Sequence, residues 1–328
     1  MSTPVRPQTP LVAIVGPSAA GKSALGIWLA ERLGGEVVVC DSTQVYRHVS
    51  IGTAKPTPEE RRGIPHHLID LLEPHELFSA GEYRRGALEV LEDLRHRQKL
   101  PIFTVGTGLY LRALLEGLAD APARSDELRA RLGERARLRG PAHLHRLLKR
   151  LDPAAADRIA PRDTPKLVRA IEVCLLAGKP ITEVHRAGRP RLEGFAAVKI
   201  GLMPRRPELY RRIERRVETM IERGWLNEVS NLVARGIPET AKPFEFIGYK
   251  ELRAHLAGEL SLPEALAAIK QAPRRYAKRQ ITWFRKESNV GWSEGFGDDP
   301  AIAEAALRYL EEQLAAAPAS RLRSSEGV

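Results

Sequence analysis

Short, almost uninterrupted apolar runs alternate with longer amphipathic segments along the first third of the chain. Four of these runs have the length and continuity of buried strands: LVAIV, EVVVC, HHLIDLL and PIFTVG. Between the last two, residues 79–99 repeat apolar side chains at helical spacing, which predicts one buried helix face. Strands that are apolar on both faces and alternate with helices predict a parallel sheet covered by helices on both sides.

The pattern changes after residue 118. Residues 119–196 are rich in Arg and His and have helical spacing interrupted by Gly and Pro, with no strand-like run, which predicts a helical insertion. The strand-like AAVKIGLMP and two long helices follow. The fold class predicted is therefore α/β: a P-loop-type parallel-sheet core with a helical insertion domain. The expected division is a flexible N-terminus (1–10), an α/β core (11–118 and 197–290), the insertion (119–196), and a C-terminal helix with a disordered tail (291–328).

A glycine-rich turn follows the first predicted strand. GPSAAGKS, from Gly16 to Ser23, fits the phosphate-binding loop pattern G-x-x-x-x-G-K-S. In such a turn successive backbone N–H groups point at an anion, and the positive end of the following helix helps to hold it. We expect Lys22 to reach the outer phosphate and the Ser23 hydroxyl to bind Mg²⁺. The pattern predicts a diphosphate site without saying whose phosphates it binds.

Asp41 ends the second predicted strand, at the edge where open parallel sheets bind ligands. A carboxylate at this position suits a magnesium shell and a general base equally, so both roles stay open. After the fourth strand, VGTGLY brings Gly106, Thr107 and Gly108 to the same edge, where glycines allow close backbone approach. Such turns also occur for purely structural reasons.

The chain carries an excess of positive charge, with 52 Lys and Arg against 41 Asp and Glu. This favours a nucleic-acid partner, because Lys and Arg bind backbone phosphates. The segment PRRYAKRQITWFRK sets basic side chains among aromatic ones, as nucleic-acid surfaces do, although a solvated helix with its aromatics in the core has the same pattern. Arg212, Arg215 and Arg216 on the preceding long helix would add to such a surface.

The chain has only two cysteines, Cys40 and Cys174, and they lie far apart in the sequence. This argues against a disulfide framework or a zinc site. We find no secretory signal and no apolar run long enough to span a bilayer, so we expect a cytoplasmic protein without a membrane partner.

Several longer stretches match one family together and in order: GPSAAGKS, DSTQVYRHVSIGTAKP, PHHLID, VGTGLYLRALLEGL, RIAPRDTPKLVRAIEV, IGYKEL and AKRQITWFR. On these residues, from about 11 to 290, the chain resembles the bacterial tRNA dimethylallyltransferases, also called tRNA isopentenyltransferases. The resemblance implies transfer of a dimethylallyl group from dimethylallyl diphosphate to N6 of adenine 37, in the anticodon arm of tRNA, with Mg²⁺ as cofactor. It also implies that the protein is a monomer and that the target adenine is flipped out of its stack. The phosphates bound by the loop would then be those of an isoprenoid diphosphate.

The resemblance assigns site residues by position. For catalysis these are Asp41 as general base, with Ser18 and Arg216 near the diphosphate. Diphosphate binding falls on Gly16, Pro17, Ser18, Ala19, Ala20, Gly21, Lys22 and Ser23, and metal binding on Ser23. The implied tRNA contacts are Asp41, Ser42, Thr43, Gln44, Thr107, Arg129, Pro165, Lys166, Leu167, Val168, Arg169, Lys278, Arg279, Gln280, Trp283 and Arg285. The chain departs from the family pattern at Ala20, Val105 and Glu245.

Other functions fit parts of the sequence. A phosphate-loop kinase or ATPase would use the first motif alone, but we identify no phosphate-acceptor site for it. An isopentenyltransferase acting on free adenine nucleotides would have no use for the basic insertion and the basic C-terminal helix. A non-catalytic RNA-binding protein would leave the loop and Asp41 without a role.

Overall fold

The computed structural model describes residues 8–186, 188 and 190–316. Most of the predicted flexible N-terminus (1–7) and of the predicted disordered tail (317–328) lie outside the described residues. The chain forms two compact units, one within Met1–Leu115 and Glu193–Val328 and the other within Glu116–Leu192. Among the described residues, no helix is both long and apolar enough to cross a membrane.

The first unit is built on one six-stranded parallel sheet. Its strands are β1 (Thr9–Val15), β2 (Gly35–Cys40), β3 (His66–His67), β4 (Leu100–Val105), β5 (Phe195–Leu202) and β6 (Val290–Ser293). They lie in the order β3-β2-β4-β1-β5-β6, and every adjacent pair is parallel. The carboxyl ends of β1, β2 and β4, the central strands, therefore open at the same edge of the sheet.

The chain contains fourteen α-helices within its described residues. Before the second unit come α1 (Lys22–Leu33), α2 (Pro58–Arg61), α3 (Ala80–His96) and α4 (Gly108–Glu116). The second unit contains α5 (Asp126–Arg139), α6 (Pro141–Leu151), α7 (Pro153–Ala156), α8 (Thr164–Ala177) and α9 (Ile181–Arg186). After it come α10 (Arg206–Glu222), α11 (Trp225–Ala234), α12 (Tyr249–Leu256), α13 (Leu262–Phe284) and α14 (Pro300–Ala316), with a 3₁₀ helix at Lys242–Glu245.

The core of the first unit forms because the central strands are apolar on both faces. The last five residues of β1 and four consecutive residues of β2 are all buried, and α1 packs Leu25 and Leu29 against them. The predicted face of α3 is also correct: Tyr83, Ala87 and Leu91 are fully buried. A separate apolar cluster around Leu144, Leu148 and Ile171 forms the core of the second unit.

The structure corrects three details of the predicted elements. The HHLIDLL strand is only His66–His67, because Leu68 and Asp70 have φ values of 59° and 54°, which take the chain out of the extended region. The first strand starts at Thr9, inside the segment predicted to be flexible. Strand β6 was missed because VGWS is short and half-exposed, without the continuous apolar run of the other strands.

Candidate active site

A cavity of about 1040 Å³ opens in the first unit at the carboxyl edge of the sheet. Residues that the sequence places far apart line it: Ser18, Lys22 and Ser23 from the loop after β1, Asp41 and Gln44 after β2, and Gly106 after β4. The arginines of α10 that line it are Arg211, Arg212, Arg215 and Arg216. The cavity therefore combines a phosphate-binding turn, one strand-end carboxylate and a row of cations.

The loop Gly16–Ser23 has the conformation that the motif requires. Gly21 lies in the left-handed region (φ 88°) immediately before α1, so it turns the chain into the helix start. The Lys22 ammonium donates to the carbonyl oxygens of Gly16 and Pro17, both at 2.9 Å. It thus lies folded across its own loop in this structure.

Two half-buried cations, Lys22 and Arg216, interact electrostatically with Asp41. Burial lowers the pKa of Lys22 to about 8, while the negative charge of Asp41 opposes that shift and the charge of Arg216 adds to it. Burial likewise lowers the pKa of Arg216 to about 10, with Arg212 adding to the shift and Asp41 opposing it. Both cations therefore feel the Asp41 carboxylate, although the sequence separates Arg216 from it by 175 positions. Together they make the inner end of the cavity a place where anionic charge is stabilised.

The two oxygens of the Asp41 carboxylate have different surroundings: Oδ1 is hydrogen-bonded to Thr43, and Oδ2 faces the turn after β4. Its Oδ1 accepts hydrogen bonds from the backbone N–H of Thr43 (2.8 Å) and from the Thr43 hydroxyl (2.7 Å). A Cβ atom built on Gly106 would lie only 1.9 Å from Oδ2, so a side chain at this position would displace the Asp41 carboxylate. The close backbone approach expected at this glycine-containing turn is therefore an approach to Asp41.

Gln280 joins the two turns that surround Asp41. Its side-chain oxygen accepts from the N–H of Ser18 (2.8 Å), and its Nε2 donates to the carbonyl of Gly106 (2.8 Å). The Tyr276 hydroxyl donates to the same carbonyl at 3.4 Å. Burial raises the pKa of Tyr276 and so keeps the phenol a neutral donor. Gln280, which the resemblance assigned to tRNA contact, is buried and connects the phosphate loop to the Gly106 turn.

The other predicted residues near Asp41 are held by local hydrogen bonds. The Thr107 hydroxyl accepts from the N–H of Ser42 (3.0 Å) and donates to the Ser42 hydroxyl (3.1 Å). The Gln44 amide donates to the carbonyls of Thr53 (3.0 Å) and Ala54 (3.3 Å), so Gln44 closes the loop that lines the cavity beside Asp41. These contacts fix the rim of the cavity from the protein side.

The remaining basic and aromatic residues predicted to contact tRNA lie on helix α13 or directly after it, some exposed to solvent and one half-buried. Lys278, Arg279 and Arg285 are exposed, as a phosphate-binding surface requires. Trp283 is half-buried: its indole ring lies against Gly108, and the Arg112 guanidinium stacks 4.6 Å from the ring centroid. Lys278, Arg279 and Arg285 therefore face solvent, while Trp283 packs against the start of α4.

In the second unit, the predicted contact residues are largely engaged inside the unit. Arg129 forms two 2.8 Å hydrogen bonds to the buried carboxylate of Glu172, and Arg169 donates to the same carboxylate at 2.6 Å. These two arginines hold the pKa of Glu172 at about 2, against the opposing effect of its burial. Leu167 and Val168 are buried in the core. Of the predicted stretch, Pro165 is the second residue of α8, and Lys166 is exposed beside Asp163.

One part of the cavity wall was not predicted from the sequence. Phe296, Gly297 and Asp298 line it from the segment between β6 and α14, and no motif marks them. Two departures from the family pattern fit their surroundings: Val105 is the buried last residue of β4, and Glu245 forms an ion pair with Lys242.

The fold and this cavity define a phosphate-loop protein of the α/β class, with its ligand site at the carboxyl edge of a parallel sheet. The IPP transferase family model matches residues 44–287, and the isopentenyl transferase model matches residues 9–75. A tRNA dimethylallyltransferase of Koribacter versatilis is 52% identical over 301 residues, covering 92% of this chain and 98% of the relative. One from Solibacter usitatus is 50% identical over 298 residues, covering 91% and 97%.

Solved structures agree with these relatives. The tRNA isopentenylpyrophosphate transferase of Bacillus halodurans is 37% identical, with a TM-score of 0.69, and the match covers 93% of this chain and 96% of that one. A eukaryotic dimethylallyltransferase described as acting on tRNA has a TM-score of 0.81 at 26% identity, covering 96% and 82%. The chain therefore belongs to the IPP transferase family of prenyl transferases, and the family predicted from the motifs is confirmed.

Proposed function

We propose that this protein transfers the dimethylallyl group of dimethylallyl diphosphate to N6 of adenine 37 in tRNA. The bond between the allylic carbon and the diphosphate oxygen breaks, N6 bonds to that carbon, and one proton leaves N6. The products are the N6-dimethylallyl adenine and diphosphate. The names of the relatives support tRNA as the acceptor, and the cavity supports the donor and the roles below.

The leaving diphosphate fits the inner end of the cavity. Negative charge grows on its bridging oxygen as the carbon–oxygen bond breaks, and this charge needs fixed donors and cations around it. The loop Gly16–Ser23 supplies backbone N–H groups and the helix start, while Lys22 and Arg216 supply positive charge. Lys22 must exchange its two carbonyl partners for phosphate oxygens to take part.

The residues around the loop fit Mg²⁺ bound mainly by the substrate. Ser23 and Asp41 both line the cavity, and within the described part of the chain no three His, Cys, Asp or Glu side chains converge on a metal position. Mg²⁺ suits such a site because it keeps several waters and takes one or two protein oxygens besides the phosphates. When bound there, it would neutralise charge on the diphosphate; Ser23 is the residue that would hold it.

Asp41 is placed to receive the N6 proton. An exocyclic adenine amine is a weak nucleophile, since its lone pair is delocalised into the ring, so a carboxylate near N6–H helps the new bond to form. Thr43 occupies only Oδ1, which leaves Oδ2 as the acceptor oxygen beside Gly106. The observation that carries the proposal is this carboxylate in the same cavity as the phosphate loop, with Lys22 and Arg216 next to it.

The tRNA surface is proposed for both units separately. On the first unit, the exposed Lys278 and Arg279 of α13 and Arg285 directly after it would bind anticodon-arm phosphates.

On the second unit, residues 119–196 form the proposed insertion domain. Partial desolvation and the positive charges of Arg139 and Arg146 lower the pKa of His143 there, which marks a cationic face spanning α5 and α6. Arg129 and Arg169 are better explained as partners of Glu172 than as primary tRNA contacts.

The direct test is product mass on an anticodon stem-loop. With dimethylallyl diphosphate and Mg²⁺, a stem-loop carrying adenine 37 is expected to gain one dimethylallyl group. A matched stem-loop with guanine 37 is expected to gain none, because guanine lacks the N6 amine. AMP is offered in parallel as a free-nucleotide acceptor, and ATP consumption is followed by phosphate release.

Two outcomes would replace the proposal. Efficient transfer to AMP but not to the stem-loop would make the protein a free-nucleotide isopentenyltransferase. RNA-stimulated ATP hydrolysis without the isoprenoid mass gain would make it a phosphate-loop ATPase.

A further inference from the structure

The segment between β6 and α14 crosses the phosphate loop. The N–H of Gly297 donates to the carbonyl of Ala20 at 2.8 Å. A Cβ atom built on Gly21 would lie 2.7 Å from the nitrogen of Gly297 and 2.8 Å from Oδ1 of Asp298. The segment is therefore in direct contact with the turn that cradles phosphates, although 276 positions separate Gly297 from Gly21.

This segment also holds Arg212 on two sides. The Arg212 guanidinium lies 4.5 Å from the centroid of the Phe296 ring, and one of its amino groups donates to Oδ2 of Asp298 at 2.8 Å. The Arg212 guanidinium has no other hydrogen bond to a described residue of the chain, so the rest of its donor fork is available to a ligand. The sequence suggested that Arg212 adds to a nucleic-acid surface, and in the structure it lies in the wall of the cavity.

We infer that Arg212 is a diphosphate-binding residue of this cavity and that Phe296 and Asp298 are positioning residues that fix its guanidinium. The inference rests on the proposed function, because it takes the ligand to be the diphosphate of the isoprenoid donor. Arg suits this role, since its planar fork pairs with two phosphate oxygens at once. A fork already held by a ring face and a carboxylate loses less conformational freedom when the ligand binds.

Neutralising Asp298 tests the positioning role by the sign of its effect. If Asp298 were only a negative charge near the ligand, Asp298→Asn would tighten diphosphate binding, because a like charge is removed. Positioning predicts the opposite: Kd for inorganic diphosphate with Mg²⁺ rises on the order of 3- to 5-fold, the size of a half-exposed ion pair. We expect KM for the donor to rise equally and kcat to change little.

The matched control is Glu294→Gln. Glu294 lies in the same segment and pairs with Arg205, so this variant also removes one carboxylate and one ion pair but leaves the support of Arg212 intact. Its diphosphate Kd is expected to equal that of the unchanged protein. Binding by Asp298→Asn that is unchanged or tighter would overturn the inference.

A second pair of variants acts without changing charge. Phe296→Leu removes the ring beneath Arg212 and is expected to raise the diphosphate Kd about 3- to 10-fold, whereas Phe296→Tyr keeps the ring and the affinity. In an Arg212→Lys background, which has lost the planar fork, Phe296→Leu should have little further effect. Additive effects of the two substitutions would place Phe296 in general support of the loop and overturn its positioning role.

Failure of this inference differs from failure of the proposed function. Isothermal titration with inorganic diphosphate needs no acceptor, so the variants are compared even without transfer. Diphosphate binding by the unchanged protein without transfer to tRNA would contradict the proposed function alone. Normal transfer together with unaffected Arg212→Lys, Asp298→Asn and Phe296→Leu variants would contradict this inference alone.

Discussion

Thr43 directs both of its donors at the same oxygen of Asp41. The backbone N–H lies 2.8 Å from Oδ1 and the hydroxyl 2.7 Å from it, so a two-residue turn fixes the carboxylate rotamer. The second carboxylate oxygen then faces the Gly106 turn. In the proposed reaction this arrangement leaves Oδ2 to accept the proton, while Oδ1 stays hydrogen-bonded to Thr43.

Thr43→Val should lower the rate of transfer without removing the general base. Loss of the hydroxyl removes one hydrogen bond to a charged group, worth about 1.5 kcal/mol, so we expect a rate about 10-fold lower in single-turnover experiments. Thr43→Ser keeps the hydroxyl and is expected to retain most of the rate. If Val and Ser at this position behave alike, the hydroxyl does not orient Asp41.

Gly106→Ala should displace Asp41. The added Cβ would lie 1.9 Å from Oδ2, so the carboxylate must rotate away from its position. We expect transfer to fall by about 100-fold or more, as for loss of a well-placed general base, with diphosphate binding retained. Gly133→Ala is the control, because nothing lies within 4 Å of its added Cβ on helix α5. Near-normal transfer by Gly106→Ala would contradict the close approach.

Lys22 should make donor binding depend on pH. Its pKa in the free site is lowered to about 8, so the cation is progressively lost above that pH. A bound diphosphate favours the protonated amine and raises this pKa, so binding near pH 8 takes up a fraction of a proton. We therefore expect Kd for dimethylallyl diphosphate to rise between about pH 7.5 and about pH 9.5.

Titration calorimetry in buffers of different ionisation enthalpy measures that proton uptake. Lys22→Met is expected to bind the donor more weakly and with no uptake in this range. Uptake that persists in Lys22→Met would assign the titrating group to another residue.

The exposed face of α13 should contribute to tRNA affinity through charge. Arg275 and Arg279 are both exposed, so neutralising them to Gln should weaken tRNA binding and reduce the slope of log K against log salt by roughly one unit per lost phosphate contact. Arg308→Gln, an exposed change on α14, should leave the slope unchanged. An equal slope in the Arg275 and Arg279 variant would mean that this face does not contact tRNA phosphates.

Local pattern was enough to predict the sheet and the loop. The apolar runs of β1, β2 and β4 and the Gly16–Ser23 motif each lie within a few consecutive residues, so the sequence contains them directly. Strand ends in a parallel sheet meet at one edge, which is why the meeting of Asp41 with the loop was also predictable.

Side-chain partners distant in sequence could not be predicted in this way. Gln280 belongs to a motif that suggested tRNA contact, yet it is buried between Ser18 and Gly106, because α13 packs against both turns. The resemblance assigned Arg129 to tRNA contact, whereas its guanidinium donates to Glu172, 43 positions away. Asp298 had no motif at all. Each of these depends on tertiary packing that single-sequence spacing does not encode.

The role of Asp41 is tested most directly by Asp41→Asn, with single-turnover transfer to the adenine 37 stem-loop and donor binding measured on the same preparation. Asn keeps the size of the side chain but is a far weaker proton acceptor. The general-base role predicts a rate roughly 10²- to 10⁴-fold lower and a nearly unchanged Kd for dimethylallyl diphosphate with Mg²⁺. A large rise in that Kd with only a modest loss of rate would contradict it and make Asp41 a ligand of the magnesium shell.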